Sequence, residues 1–210
     1  MDNWSAYMQF FVGLVSIVNP IGAVPIFVNI TNSMTRDERH RTGFMAAVAL
    51  FAILCVVLFT GSAILRIFGI TISSFRVAGG ILILLMSISM MHAKISPTKQ
   101  NEEESNATTD RDSVAVVPLG IPLLAGPGAI SAVIVFASRG HTPLHYLVLC
   151  LEIVIVAVIV WLSFRSASLI GRLLGKTGIN VVMRIMGLIM TAVAVEFIAG
   201  GLKQIFPVLG

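Results

Sequence analysis

The chain has 210 residues, of which 57% are hydrophobic and only 11% charged, against about 25% charged residues in an ordinary soluble domain. With a mean hydropathy of +0.96, that balance excludes a water-soluble globule and points to an all-α integral membrane protein. The formal charge of +4 records topology, and no basic patch supports a nucleic-acid partner.

Six uncharged or nearly uncharged runs follow in chain order: residues 3–31, 44–65, 77–93, 113–138, 142–164 and 185–202, the fifth broken only by Glu152. Each is near or above the ~20 residues a helix needs to cross hydrocarbon, so six transmembrane helices are expected. The opening MDNWSAYMQF lacks the basic region of a cleavable signal, and the first span is expected to stay. Cys55 and Cys150 fall inside apolar runs, where a thiol packs as a small hydrophobe. On this layout Arg36, Arg39, Arg41, Lys94, Lys99, Arg111, Arg165, Arg172, Lys176 and Arg184 share one side, and Arg66, Arg76, Arg139 and Lys203 the other. The richer side is cytoplasmic by the positive-inside rule, which places both termini outside. The polar stretch around KQNEEESNATTDRD reads as a cytoplasmic linker, residues 96–112, between halves at 1–95 and 113–210.

The halves repeat each other at a nearly constant offset. Pro20 recurs as Pro127, and Arg66, Gly69 and Thr71 recur as Arg172, Gly175 and Thr177. Arg76, Gly79 and Ile81 then recur as Arg184, Gly187 and Ile189. Matches in the same order across three successive spans argue for duplication. An odd number of spans per half makes the second copy enter the membrane from the opposite face, so two inverted three-helix repeats are expected.

The first run carries NPIGAVP at residues 19–25, and the fourth carries PLGIPLLAGPGAIS from Pro118. Residues 3–31 as one helix would be about 43 Å long at 1.5 Å per residue, against a ~30 Å core. Discontinuous first and fourth helices are the expected solution, each stopping, passing a few residues of open backbone and restarting. Open backbone at membrane depth is tolerated only when buried in protein or lining a wet cavity. The breaks therefore mark a binding cavity: a restarting half-helix suits a carboxylate, and the carbonyls of the one before it suit an ammonium group or cation. The small residues beside the prolines predict a small pocket. The alternative is that the prolines merely kink packed helices.

Glu152 and Glu196 are the carboxylates inside the predicted spans, and Arg76 and Arg184 begin spans three and six. Coupling or gating is the functional assignment for all four; the structural one is end-snorkelling or packing for Glu196, a pair with His145 or Tyr146 for Glu152, and interfacial anchoring for the arginines. Asn19, Asn29 and Ser131 are polar groups near the breaks that equally suit interhelical hydrogen bonds. The histidines, His40, His92, His141 and His145, sit at or outside span ends, and no HExxH, G-x-S-x-G or Walker sequence occurs. No metal, no cofactor and no enzymatic activity are expected.

NPIGAVPIF in the first span, FGITISSFRVAGGIL in the third, AGPGAIS in the fourth and TGINVVMRIMGL before the sixth resemble the MarC family of bacterial inner-membrane proteins, also called MarC/SnatA or UPF0056, across essentially the whole chain. The resemblance implies a multi-pass inner-membrane transporter of small neutral amino acids such as glycine or alanine. It also implies a central substrate site formed by Asn19, Pro20, Gly22 and Pro25 with Gly126, Pro127, Gly128, Ala129 and Ser131. The expected partners are the lipid bilayer, a small-molecule substrate and a proton or sodium ion for coupling. The competing assignments are an exporter or channel for another small solute, and a membrane assembly subunit that transports nothing.

Overall fold

The computed structural model describes residues 4–91 and 124–209, and the regular structure in them is helical. The helices are α1 (Trp4–Val18), α2 (Pro20–Ile30), α3 (Arg36–Ile67), α4 (Ile72–Met91), α5 (Pro127–Ala137), α6 (Pro143–Arg165) and α7 (Ala167–Ile205), followed by a 3₁₀ turn at Pro207–Leu209. Five segments are long and apolar enough to cross a membrane: Trp4–Ile30, which takes α1 and α2 together, Arg36–Ile67, Ile72–Met91, Pro143–Arg165 and Thr177–Ile205. The expected fourth span, residues 113–138, is described only from residue 124 and contributes the 11-residue helix α5. Pro118, Pro122 and the expected linker at 96–112 lie outside the described residues.

Helix ends follow local chemistry, and they overrun the uncharged sequence. α3 starts at Arg36 because Thr35 and Glu38 form a reciprocal capping box, Thr35 N donating to Glu38 Oε2 over 2.8 Å. It stops at Gly69, whose φ of 66° allows the Ile70 amide to bond back to Leu65 O at 2.9 Å. α6 begins at Pro143 with Thr142 accepting the His145 amide. α7 carries a second left-handed glycine, Gly175 at φ 58°, where the long helix bends before its membrane segment.

The helices pack in antiparallel pairs. α3 lies on α6, with Phe44 edge-on to Trp161, Cys55 Sγ 3.9 Å from Cys150 Sγ, and Phe59 stacked on Tyr146. α4 lies on α7 along a seam of small residues: a Cβ on Gly80 would stand 3.0 Å from Ala194 O, and one on Gly187 would stand 3.1 Å from Ser87 O. Backbones approach this closely in membranes because lipid provides no hydrophobic drive between helices and contact must come from packing. Thr191 Oγ1 donates to Ser87 Oγ at 2.9 Å in the same seam.

The two glycine contacts are related to each other. Gly80 meets α7 at Ala194 and Ile198, and Gly187 meets α4 at Ser87 and Met91. The offset that carries Pro20 to Pro127 also carries Gly80 to Gly187, Ser87 to Ala194 and Met91 to Ile198. The same offset separates the starts of α2 and α5, both 11 residues long with proline first, and the starts of α3 and α6. At this register the counterpart of Arg76 is Met183 rather than Arg184.

Candidate functional site

The interruption in the first span is narrower than the sequence suggests. Asn19 alone leaves helical geometry, at φ 46° and ψ 66°, and the ladder resumes at once, with Asn19 N bonded to Val15 O and Ala23 N to Asn19 O. Asparagine serves here because it tolerates the left-handed region and caps its own restart. Its Oδ1 accepts the Gly22 amide at 3.2 Å, while its Nδ2 faces the sulfurs of Met183 and Met90 at 3.6 and 3.9 Å. Expected open backbone of a few residues is thus replaced by one strained residue. Gly22 is obligatory in this arrangement, since a Cβ would run into the Asn19 amide and Met183 Sδ. Pro25 lies inside α2, half-buried.

The second interruption is chemically different. α5 begins at Pro127 after Gly126, which has extended geometry and supplies no side-chain cap, so the first-turn amides of Gly128 and Ala129 have no capping side chain. Gly128, Ala129 and Ser131 are buried and Pro127 is exposed. A Cβ on Gly128 would stand 3.2 Å from Ile17 Cγ2 and 2.8 Å from Ile83 Cγ1. The start of α5 therefore abuts the residue two positions before Asn19, and the two breaks meet. Ser131 packs on Gly79 of α4, where a side chain would overlap it.

A cavity of about 600 Å³ opens beside this junction, between α1, α5 and α7. Ser16, Ile17 and Ala132 line its inner end, while Arg76, Arg139 and Glu196 line it near the ends of α5 and α7. Three phenylalanines, Phe10, Phe136 and Phe197, form its walls. The nine residues expected at the breaks do not line it. It is larger and more aromatic than the glycines and prolines predicted, because its walls come from helix faces beside the breaks. Of the four expected coupling residues, Arg76 and Glu196 are brought together here and Arg184 and Glu152 are not.

The arginines are held without ion pairs among the described residues. Arg76 donates from Nη2 to the Glu196 backbone carbonyl at 3.5 Å and lies 5.6 Å from the centre of the Phe197 ring, and its buried Nε has no hydrogen-bond partner among the described residues. Gly200 makes room for it, since a Cβ there would collide with the guanidinium. Arg139, outside the spans, sits over Phe136 at 3.9 Å. Its apolar surroundings, and then repulsion from Arg76, lower its pKa. His145 pins this end: Nε2 donates to Phe136 O at 3.0 Å, and in the neutral ring Nδ1 then accepts from Tyr7 Oη at 2.9 Å.

Glu152 is only 7% exposed, and its Oε2 has no hydrogen-bond partner among the described residues. Neither His145 nor Tyr146 serves it. Arg184 is exposed on α7. Among the described residues no three His, Cys, Asp or Glu side chains come together as a metal site. Arg139, Phe10, Phe136 and Gly200 were not visible as site residues in the sequence; the one signal was Arg139 as a cation on the same side as Arg76.

Five membrane-crossing helical segments, a strained break at Asn19 and a partly charged cavity beside it define a multi-pass helical membrane protein. Residues 4–206 match the family described as MarC family integral membrane protein, and the chain belongs to that family. It is 44% identical over 205 residues to UPF0056 membrane protein YhcE of Escherichia coli strain K12, covering 98% of this chain and 95% of that protein. It is 43% identical over 209 residues to a UPF0056 membrane protein of Buchnera aphidicola from Schizaphis graminum, covering 100% and 97%. It is 38% identical over 208 residues to UPF0056 membrane protein YvbG of Bacillus subtilis strain 168, covering 98% of each chain. No solved structure matches it.

Proposed function

We propose that this chain is a secondary transporter, and not an enzyme, that moves small neutral amino acids across the bacterial inner membrane, with both termini periplasmic. Two inverted three-span halves rearrange around a central site made by Asn19, Pro20, Gly22 and Pro25 with Gly126, Pro127, Gly128, Ala129 and Ser131. The observation that carries this reading is the meeting of the two breaks, with Ile17 near the end of α1 against Gly128 in the first turn of α5. A left-handed residue and an uncapped helix start are costly in a bilayer and persist where they are sheltered and used. The inverted halves are supported by the reciprocal contacts of Gly80 and Gly187, each the other's contact at the repeat offset. The start of α5 suits a carboxylate better than the start of α2, because Asn19 already occupies the latter. Drive comes from a proton or sodium gradient or from the substrate's own gradient.

The test is uptake of radiolabelled glycine and alanine into proteoliposomes, with and without an imposed proton or sodium gradient, for the natural chain and Pro127→Ala. Pro127 is the informative position: it is exposed, whereas Gly128 is wedged against Ile17 and Ile83 and a larger residue there would unpack the helices. Saturable uptake that falls in Pro127→Ala, at unchanged folded yield, is expected. Equal losses of uptake and yield would leave the prolines as mere kinks. Steady single-channel current would favour a channel, and no flux of any solute an assembly subunit.

A further inference from the structure

The cavity holds more positive charge than it neutralises. Arg76 and Arg139 face it with Glu196 as the carboxylate beside them, and among the described residues neither guanidinium forms an ion pair. Buried polar groups in membrane proteins are normally satisfied, yet Arg76 Nε is buried without a partner among the described residues. The pair is placed at a cost: the apolar surroundings and Arg76 both disfavour the charge on Arg139, and α7 gives up a side chain at Gly200 to admit Arg76. Guanidinium donors near one another suit an oxygen anion, which can take several N–H groups at once. Phe10, Phe136 and Phe197 make the remaining walls apolar, so the anion that fits carries a short hydrocarbon portion.

We propose that this cavity is a second binding station for a small carboxylate with an apolar side chain, its carboxylate held between Arg76 and Arg139 and its side chain against the phenylalanines. Glu196 is placed to receive an ammonium group, so a zwitterion engages both signs. The station lies between the ends of α5 and α7 and the helix junction, which it reaches at Ser16 and Ile17. In taking an amino acid as its ligand it rests on the transport reading; in taking a carboxylate it rests on the cavity alone.

Arginine modification by phenylglyoxal, followed by mass spectrometry on the purified full-length protein in detergent at fixed ionic strength, tests this. Arg139 is exposed enough to react, and Arg66, exposed and outside the cavity, is the internal control. Butyrate and alanine are expected to slow modification of Arg139 about threefold at twice their Kd, leaving Arg66 unchanged. Acetate is expected to protect less than butyrate, and ethylammonium not at all. Arg76→Gln is expected to lose the protection and Arg76→Lys to keep part of it, which separates lost binding from lost folding. Glu196→Gln is expected to keep butyrate protection and weaken that by alanine. Protection equal at Arg66, protection surviving in Arg76→Gln, or protection by a short-chain phosphatidylglycerol but not by butyrate would each overturn the assignment, the last in favour of a lipid headgroup. Protection without amino-acid uptake into proteoliposomes would sink the transport reading and leave the station; uptake without protection would do the reverse.

Discussion

Replacing Gly80 or Gly187 by alanine probes the α4–α7 seam directly. The added carbon at Gly80 would stand 3.0 Å from both Ala194 O and Ile198 N, and at Gly187 3.1 Å from Ser87 O and 3.3 Å from Met91 N. These separations are tighter than ordinary van der Waals contact for an added carbon, and the neighbours are backbone atoms that move only if the helices part. Overpacking of this kind costs about 1–3 kcal/mol. Alanine also gains helix propensity over glycine, so the proper reference is Gly171→Ala, where nothing among the described residues lies within 4 Å of the new carbon. Reversible unfolding by SDS in mixed micelles should find Gly80→Ala and Gly187→Ala each about 1–3 kcal/mol less stable than Gly171→Ala. The two losses should be close to each other, because each glycine meets the opposite helix at comparable distances from its backbone. The double variant should cost less than their sum, since one helix separation relieves both contacts. If either single variant is as stable as Gly171→Ala, the seam is not packed as described; if one loss is large and the other absent, the reciprocity is accidental.

Two further substitutions test other parts of the fold. Cys55 and Cys150, 3.9 Å apart across α3 and α6, should form an intramolecular disulfide under copper–phenanthroline, read as dithiothreitol-reversible loss of both free thiols and absent in Cys55→Ser; failure to couple in membranes would displace α3 from α6. Glu152→Leu should leave stability unchanged or raise it by about 1–3 kcal/mol in the same SDS assay, because it removes a buried carboxyl oxygen that has no partner among the described residues. If Glu152 serves coupling, the variant should be as stable as the natural chain yet lose gradient-dependent uptake. A clear loss of stability instead would mean that the carboxyl has a structural partner.

What was legible in the sequence was what depends on local chemistry. NPIGAVP announced a break because proline removes a donor wherever it stands, and Gly69 and Gly175 stand where the backbone takes the positive φ that favours glycine. The extent of the first break was not legible: whether Asn19 alone suffices depends on Gly22 leaving room for its side chain, and on Met183 and Met90 arriving from distant helices. Lack of charge underestimates helix length, since Arg36 and Arg76 lie within helical turns. The arginine cavity was illegible for a related reason. Arg76, Arg139 and Glu196 belong to three separate segments, and no periodicity in one segment reports a neighbour contributed by another.

The offset that relates the two glycine contacts does not carry the charged residues with it. At the offset that pairs Gly80 with Gly187, Arg76 corresponds to Met183, Arg139 to Asn32 and Glu196 to Ser89, and Asn19, which caps its own helix, corresponds to Gly126, which caps nothing. The two glycine contacts recur at this offset while the charges do not. If the halves exchange conformations as inverted repeats do, the backbone permits an equivalent cavity at the opposite face, but that cavity has methionine, asparagine and serine where this one has two arginines and a glutamate. Capture of a carboxylate is then strong at one face and weak at the other. A passive carrier cannot use such asymmetry to bias the final distribution of its solute, since binding more tightly at one face also slows release there. What it changes is the concentration at which each direction saturates, and the face bearing Arg76 and Arg139 is the one that should saturate first.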